Sequence, residues 1–466
     1  MDYLKRTRRV SPEIMMRAEQ YLNLGYQRIL TFERPGGGFD WWGNGPALIW
    51  LTAYGVQQLA ATSKVRDIDK GVIERAQAFL VQKQDPDGSW GIVGDTHSET
   101  IAQVSNPRLA LTAYVTWSLA ESGYTGEPVQ RALAYLFKHY QDARTNPYLL
   151  SMMANAFVFG APNDMLTSQI FDELARLRIE KDDLVSWQPV GQTATCAYGD
   201  SATIETTAMV AYAMIKGQSM HVNILNKALN YLVKQKNGSG TWGSTQATIL
   251  VLKALVASDT VSTQGGNATV DILLNGKAVG GWKIGDANRD VMQLLDLGTN
   301  TTTGTHQLQF QVQGNANVMY QVVGRYYEPW REEPPERKPI EIAVTYDRDK
   351  LVKNDILVAT ATMRYNGLKP TFMVILDLGI PPGFSVDPGD FAELLGEQKI
   401  ARYAITARQI TLYLGNVGPG AVFTCRYHLK AKYPLRAKTP KSTAYEYYSP
   451  EVLAESRPTD LVVEEK

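Results

Sequence analysis

The chain of 466 residues is 44% apolar and 20% charged, which supplies hydrophobic cores for about three domains and excludes an intrinsically disordered protein. Its 47 Lys and Arg residues balance 47 Asp and Glu residues, so the basic surplus of nucleic-acid-binding proteins is missing and no nucleic-acid partner is predicted. No apolar run approaches the ~18 residues that cross a bilayer, and residues 1–6 are polar, so the sequence predicts neither a membrane span nor a signal peptide.

The first part of the chain repeats a helical phrase, an alanine followed three residues later by an aromatic residue and a leucine. The phrase occurs at Ala18/Tyr21-Leu22, Ala76/Phe79-Leu80, Ala132/Tyr135-Leu136 and Ala228/Tyr231-Leu232. Twice it continues into a Gly-x-Trp turn, at residues 88–90 and 240–242, and an apolar helix follows each turn. We therefore predict helical hairpins over residues 1–258 that close into an α/α toroid, with an open solenoid as the alternative.

From residue 259 onward, apolar and polar residues alternate as they do in β-strands. Residues 269–274 lead into an Asn275-Gly276 hairpin turn, and residues 306–312 alternate again. The segment 259–330 is short for an independent sandwich. Residues 331–339 are rich in proline and charge, which predicts a linker. Residues 340–466 return to strand-like runs, with one acidic helix near residues 387–395, and predict a β-sandwich.

Cys196 and Cys425 are the two cysteines of the chain, and they fall in different predicted domains. They predict neither a disulfide framework nor a cysteine-based zinc site, and we interpret both as small buried hydrophobes. The common signatures of nucleotide, metal and serine-nucleophile sites are missing from the sequence, so no cofactor and no metal are predicted. The acidic pair Asp67 and Asp69 is interpreted as a helix N-cap rather than a catalytic pair.

His97 is the candidate catalytic residue of the sequence. It follows a Gly-x-Trp turn and precedes an apolar helix, and Glu99 comes two residues later. A carboxylate at this spacing can orient a nucleophilic or basic imidazole. An ordinary polar loop histidine is the alternative interpretation.

Several stretches carry a family resemblance, in the family's order. They are residues 2–4, 11–14, 21–28, 50–54, 202–207, 243–246, 377–384, 413–414, 433–437 and 445–448. These stretches resemble the C-terminal third of the α2-macroglobulin and complement thioester proteins, and the scarcity of cysteine resembles their bacterial members. The resemblance implies an N-terminally truncated thioester-type toroid over 1–258, a partial CUB-type segment over 259–330, a linker over 331–339 and a receptor-binding macroglobulin sandwich over 340–466.

The family's reactive motif, Gly-Cys-x-Glu-Gln, does not occur in these 466 residues. In the family, its cysteine thiol and glutamine form an internal thioester. Cys196 cannot replace that cysteine, because the residue three positions later is Gly199. By resemblance, His97 attacks the thioester and passes the acyl group to hydroxyls, with Glu99 as its neighbour. We expect the reactive cysteine and glutamine to precede this chain in a longer protein.

The resemblance implies a fragment of a protease inhibitor or covalent tagging protein, not an enzyme. The expected partners are target proteases or cell-surface hydroxyl groups, together with upstream macroglobulin domains. The expected location of the full-length protein is extracellular or periplasmic.

Two alternatives remain at the level of sequence. One is a thioester-free module that binds a partner without covalent chemistry. The other is a toroidal enzyme similar to terpene cyclases. Asp67 and Asp69 match the acidic motif of those enzymes poorly. Endocytic-receptor binding through residues 387–395 is not expected, because this helix contains no lysine.

Overall fold

The computed structural model describes residues 12–92, 100–238, 240–259, 266–285, 288, 293–315, 318, 320–324, 326 and 338–465. These residues form two compact units. The first contains the residues up to Lys83, Ser118–Tyr124 and those between Leu255 and Glu328, and the second contains the remainder. Within the described ranges, no helix combines the length and the hydrophobicity needed to cross a membrane.

Helices dominate the chain up to Asp259. In chain order they are α1 (Pro12–Leu30), α2 (Ile49–Ser63), α3 (Lys70–Gln82), α4 (Pro107–Glu121), α5 (Glu127–Lys138), α6 (Tyr140–Ala143), α7 (Pro147–Gly160), α8 (Met165–Leu177), α9 (Gly199–Lys216), α10 (Val222–Lys234) and α11 (Thr245–Asp259). A short 3₁₀ helix, Thr100–Gln103, precedes α4, and a small antiparallel hairpin, β1 (Ile179–Lys181) and β2 (Leu184–Ser186), lies between α8 and α9. Asp69 accepts a hydrogen bond from the Gly71 amide and caps α3, as the sequence predicts.

The helices alternate between two kinds. Helices α3, α5, α8 and α10 each bury one apolar stripe and expose the opposite side. Helices α4, α7 and α9 are buried on nearly all sides. A helix that is buried all round has to lie inside a core, so these three are the inner members of successive helical hairpins.

One hydrogen bond recurs where the chain enters α2, α4, α9 and α11. The backbone N–H of an aromatic residue donates to a threonine hydroxyl in that helix at 2.9–3.0 Å. The pairs are Phe39 with Thr52, Trp90 with Thr112, Trp187 with Thr207, and Trp242 with Thr248. Because buried amides need a partner, this bond gives a physical reason for the threonine in the Leu-Thr-Ala-Tyr sequence at both 51–54 and 111–114.

The glycines of the connecting turns have left-handed backbone conformations. Gly37, Gly88 and Gly240 have φ of 88°, 88° and 84°, and each donates its amide to the carbonyl three residues earlier. A Cβ at Gly88 would lie 2.5 Å from the carbonyl oxygen of Arg131. Both the conformation and the close approach therefore require glycine there.

The first unit also contains a three-stranded antiparallel sheet. Its strands are β3 (Ala268–Leu274), β4 (Lys277–Ile284) and β5 (Leu308–Gly314), in the order β4-β3-β5. The β3–β4 turn has φ of 50° at Asn275 and 78° at Gly276, the two positive values that a type I′ turn needs. The hairpin predicted from the Asn-Gly pair is confirmed. Residues 331–337 of the predicted linker lie outside the described residues.

The C-terminal part of the second unit is built from β-strands. They are β6 (Ile340–Tyr346), β7 (Lys350–Val352), β8 (Ile356–Tyr365), β9 (Thr371–Gly379), β10 (Phe384–Val386), β11 (Arg402–Ile405), β12 (Gln409–Val417), β13 (Val422–Ala431), β14 (Leu435–Lys438), β15 (Thr443–Glu446), β16 (Ser449–Glu455) and β17 (Asp460–Glu464). Their sheet orders are β10-β13-β8-β6, β11-β12-β9-β15-β16 and β14-β17-β7. Alternate residues of these strands share one apolar core.

One helix, α12 (Gly389–Gly396), packs on this sandwich with Phe391 and Leu394 buried in its core. The Asp387 side chain accepts a hydrogen bond from the Gly389 amide at the start of the helix. The helix predicted near residues 387–395 is therefore present, and its first turn is acidic as the sequence indicates.

Candidate functional site

His97 and Glu99 lie in residues 93–99, which are outside the described residues. Their flanks are described. Trp90 is completely buried, and Val104, just after the 3₁₀ helix, forms an antiparallel bridge with Gly191. The described residues on either side of the His97 segment are thus held in place, Trp90 by its hydrogen bond to Thr112 in α4 and Val104 by its bridge to Gly191.

Residues 187–198, α9 and the residue just before α11 contribute a group of polar side chains that contact one another. The Thr195 hydroxyl donates to the Glu205 carboxylate and lies 2.9 and 3.0 Å from its two oxygens. The Ser244 hydroxyl lies 3.4 Å from Glu205 Oε1, and the Thr193 and Thr195 hydroxyls are 3.0 Å apart. Glu205 is only 1% exposed. We call Thr193, Thr195, Glu205 and Ser244 the buried acid cluster.

Burial raises the pKa of Glu205 to about 7, because a carboxylate removed from water loses its hydration. Hydrogen bonds from Thr195, Thr193 and Ser244 act in the opposite direction. A carboxyl group with this pKa gains and loses a proton near neutral pH. Within the described part of the chain, no set of His, Cys, Asp and Glu side chains is arranged to hold a metal ion.

Cys196 lies in a tight turn beside this cluster. The Thr193 amide donates to Ala197 O and the Cys196 amide to Thr193 O, both at 2.9 Å, which repeats the hydrogen bonding of the glycine turns. Cys196 has a φ of 61°, a conformation that costs a side-chain-bearing residue about 1–2 kcal/mol. Burial raises the pKa of its thiol to about 12, so the thiol stays protonated and unreactive. Both cysteines are buried and unbonded, as predicted.

The start of α9 contacts the C-terminal sandwich within the second unit. The Tyr198 hydroxyl donates to Glu446 at 2.8 Å, and the Tyr198 amide donates to the Ser449 hydroxyl at 3.2 Å. The Ser201 hydroxyl donates to Glu451 at 2.9 Å. Since these partners belong to β15 and β16, we call this set of hydrogen bonds the α9–β16 contact.

The backbone is irregular where Glu446 meets α9. The β15–β16 register shifts between Tyr445 and Glu446, and the Tyr447 amide donates to the carbonyl of Met373, whose φ is 63°. A bulge of this kind re-aims a side chain. Glu446 is only 1% exposed and also accepts a hydrogen bond from Thr371 at 2.9 Å. Burial raises its pKa, as it does for Glu205.

The A-macroglobulin TED domain family matches residues 1–257, and the A-macroglobulin receptor binding domain family matches residues 369–457. The chain belongs to the α2-macroglobulin family. The resemblance inferred from the sequence motifs is therefore confirmed, including its assignment to the C-terminal region of the family.

Two curated relatives of this α2-macroglobulin-family chain are vertebrate proteins. Complement C3 of Oncorhynchus mykiss is 25% identical over 402 residues, which cover 81% of this chain and 23% of that protein. Ovostatin of Gallus gallus is 25% identical over 437 residues, which cover 90% of this chain and 29% of that protein. The chain thus spans less than a third of the length of these relatives.

Solved structures of bacterial α2-macroglobulins have the same fold. Native Escherichia coli α2-macroglobulin, spanning domain MG7 to the C-terminus, has a TM-score of 0.63 and 16% identity, covering 95% of this chain and 67% of that chain. Salmonella α2-macroglobulin reacted with methylamine also has a TM-score of 0.63 and 16% identity, covering 94% of this chain and 27% of that chain. The predicted fold class, a thioester-type α/α toroid followed by β-sheet domains, is confirmed. The CUB-type assignment of residues 259–330 and the domain boundaries stay predictions.

Sequence analysis missed the carboxyl groups of the site. Glu205 is part of residues 202–207, which carry the family resemblance, but its signal is a single acidic residue among the Ala, Thr and Met residues of a buried helix. Glu446 likewise belongs to residues 445–448, which carry the resemblance, but a single acidic residue at the end of a strand does not mark a buried carboxyl group. Tyr198 and Glu446 are 248 residues apart in the chain, so only the folded structure reveals their contact.

Proposed function

We propose that this chain is the C-terminal region of a longer thioester protein that traps proteases or tags surfaces through a covalent bond. The observation that carries the proposal is the order of its domains, a TED-type helical region followed by a receptor-binding-type sandwich. The matches to complement C3 and ovostatin, both far longer than this chain, support it. Upstream macroglobulin domains complete the proposed parent protein, which is extracellular or periplasmic.

In this proposal His97 is the nucleophile that relays the acyl group, with Glu99 beside it. Its imidazole attacks the thioester carbonyl, the carbon–sulfur bond breaks, and the upstream cysteine leaves as a thiolate. A hydroxyl of the target then attacks the acyl-imidazole, an ester forms, and the imidazole leaves. The hydroxyl proton passes to the thiolate. Two easier steps replace one difficult acyl transfer.

The proposed protein is not an enzyme, because each molecule consumes its thioester once. Its product is a covalent complex with the target rather than a released molecule. The targets in this proposal are proteases or hydroxyl groups on cell surfaces, since an imidazole-relayed acyl group reacts with hydroxyls.

A second candidate rests on a specific observation, the absence of Gly-Cys-x-Glu-Gln from these 466 residues. If the complete protein lacks the motif, it acts as a module that binds its partner without a covalent bond. The two candidates differ in one measurable property, namely whether the complex survives denaturation in detergent.

The test uses the product of the complete reading frame that contains this chain. Methylamine is added, and the thiol that it releases is labelled with a fluorescent maleimide. Labelled glycerol and labelled methylamine then measure transfer to hydroxyls and to amines in the wild type, in His97→Asn and in His139→Asn. His139 is the matched control, because it is a partly exposed histidine paired with Asp142 at 2.9 Å outside the proposed site.

We expect thiol release in all three proteins. His97→Asn should lose glycerol transfer by about 100-fold or more while keeping methylamine transfer, and His139→Asn should behave as the wild type. Absence of released thiol, with protease complexes that dissociate in detergent, would favour the non-covalent module instead. Thiol release with unchanged glycerol transfer in His97→Asn would show that the thioester is present but that His97 takes no part in acyl transfer.

A further inference from the structure

Two buried glutamates of the second unit have opposite surroundings. Glu173, in α8, is 7% exposed and accepts hydrogen bonds from Arg176 at 2.5 Å and from Arg144 at 3.2 Å. These arginines lower its pKa. Glu205 is 1% exposed, and its hydrogen-bond partners are hydroxyl groups. Within the described residues it has no ion pair, so nothing cationic offsets its burial.

Glu446 repeats this chemistry on the sandwich side of the α9–β16 contact. Its carboxylate accepts hydrogen bonds from the hydroxyls of Tyr198 and Thr371, and the Tyr365 phenol also lies beside it. Burial and the Glu446 charge together raise the pKa of the Tyr198 phenol, so Tyr198 remains a neutral donor. Glu446 therefore lies in the contact itself, and Glu205 lies four residues after Ser201 on the same face of α9. Among the described residues, both carboxyl groups accept hydrogen bonds from hydroxyls only.

Glu451 adds a third carboxylate at the rim. It accepts hydrogen bonds from the amide and the hydroxyl of Ser201, in the first turn of α9, where the helix dipole favours a negative charge. Its charge raises the pKa of both Glu205 and Glu446.

Among the residues that the structure describes, the titratable groups that interact with these carboxyls are acidic or neutral. They are Tyr148 from α7, Cys196 and Tyr198 from residues 187–198, Tyr365 from β8, Glu446 from β15 and Glu451 from β16. Deprotonation of Glu205 and Glu446 thus adds negative charge to a region that already holds Glu451.

We propose that the α9–β16 contact is a proton-dependent latch, which is closed while Glu205 and Glu446 are protonated and is weakened when they ionise. The latch regulates whether the C-terminal sandwich stays bound to the helical region at the start of α9. It depends on residues of this chain alone, so it stands whether or not the parent protein carries a thioester.

The direction of the pH effect follows from the raised pKa values of Glu205 and Glu446. Opening hydrates the carboxyl groups, so in the open state Glu205 returns to its ordinary pKa of 4.5, whereas in the closed state its pKa is about 7. As the pH rises from about 4.5 to about 7, the open state ionises first and the closed state loses stability relative to it. Above about 7 both states are ionised and the contribution of Glu205 levels off. Glu446 acts in the same direction.

The test is hydrogen exchange followed by mass spectrometry on the full 466-residue chain, with rates corrected for the intrinsic effect of pH. Protection is compared at about pH 6 and about pH 8 in the peptides that contain Tyr198 and Ser449. For Glu205 alone, the equilibrium constant for opening should rise about tenfold between these values. We therefore expect protection to fall about tenfold in the wild type, and Glu205→Gln with Glu446→Gln to remove most of this dependence.

Glu173→Gln is the matched control, because it changes a buried carboxyl group of the same unit that is paired with arginines. It should destabilise α8 and leave the pH dependence of the α9–β16 contact unchanged. Wild-type protection that is constant or rises between about pH 6 and about pH 8 would overturn the latch. The wild-type series decides this even if a variant fails to fold. Persistence of the full dependence in a folded double variant would overturn it equally.

Discussion

Cys196 occupies a left-handed backbone position of the kind that this protein elsewhere gives to glycine. Its φ of 61° and its hydrogen bonds match the turns closed by Gly37, Gly88 and Gly240. The residue is 4% exposed, so its side chain gains burial while its backbone pays a conformational cost. Strained residues of this kind concentrate at functional sites, and this one adjoins the buried acid cluster.

Replacement of Cys196 tests that balance. Cys196→Gly relieves the strain, whereas Cys196→Ala keeps it and loses most of the buried side chain, so the glycine variant should be more stable than the alanine variant by about 1 kcal/mol. Urea denaturation measures the difference. Cys425 is the control, since it is equally buried but lies in β13 without a positive φ. There the order should reverse, with glycine less stable than alanine by about 1 kcal/mol. If the same replacement, glycine or alanine, were the more stable one at both positions, the inferred backbone strain at Cys196 would be refuted.

At the scale of the element, the entries to α2, α4, α9 and α11 share the bond between an aromatic amide and a threonine of the helix. In the third of these pairs, Trp187 and Thr207 are both fully buried, and the indole Nε1 of Trp187 also donates to Leu174 O at 2.7 Å. The hairpin therefore has no water available to replace a lost partner. Sequence periodicity predicts the helices, but it does not predict this bond, because an apolar helix tolerates threonine without one.

Thr207→Val removes the acceptor and keeps the shape of the side chain. The Trp187 amide would then be buried without a partner, so the free energy of unfolding should fall by about 1–3 kcal/mol. Thr203→Val is the matched control on the same helix, because the more exposed Thr203 hydroxyl donates to Gly199 O and serves no buried amide. Its effect should stay within about 0.5 kcal/mol. Thermal denaturation measures both variants. Similar losses of unfolding free energy would show that the hydrogen bond of the Trp187 amide does not stabilise the fold more than an ordinary exposed hydroxyl contact.

At the scale of the whole molecule, the order of fold types could be predicted from the sequence. Helical periodicity, the Asn275-Gly276 turn and the switch to alternating strands are local signals, and the family motifs lie in order along the chain. The α9–β16 contact could not be predicted, because it joins residues about 250 positions apart. No local sequence pattern indicates that a β-bulge changes the direction of the Glu446 side chain, which accepts a hydrogen bond from Tyr198. The roles of His97 and Glu99 stay predictions, since both lie outside the described residues.

The central claim is that these 466 residues belong to a longer thioester protein. The measurement that tests it most directly is the DNA sequence immediately upstream of the Met1 codon in the source genome. The claim predicts an in-frame continuation that encodes Gly-Cys-x-Glu-Gln, with the helices of the TED-type domain following it. A stop codon in that frame, with no such motif upstream, would contradict the claim and leave a module that binds its partner without covalent chemistry.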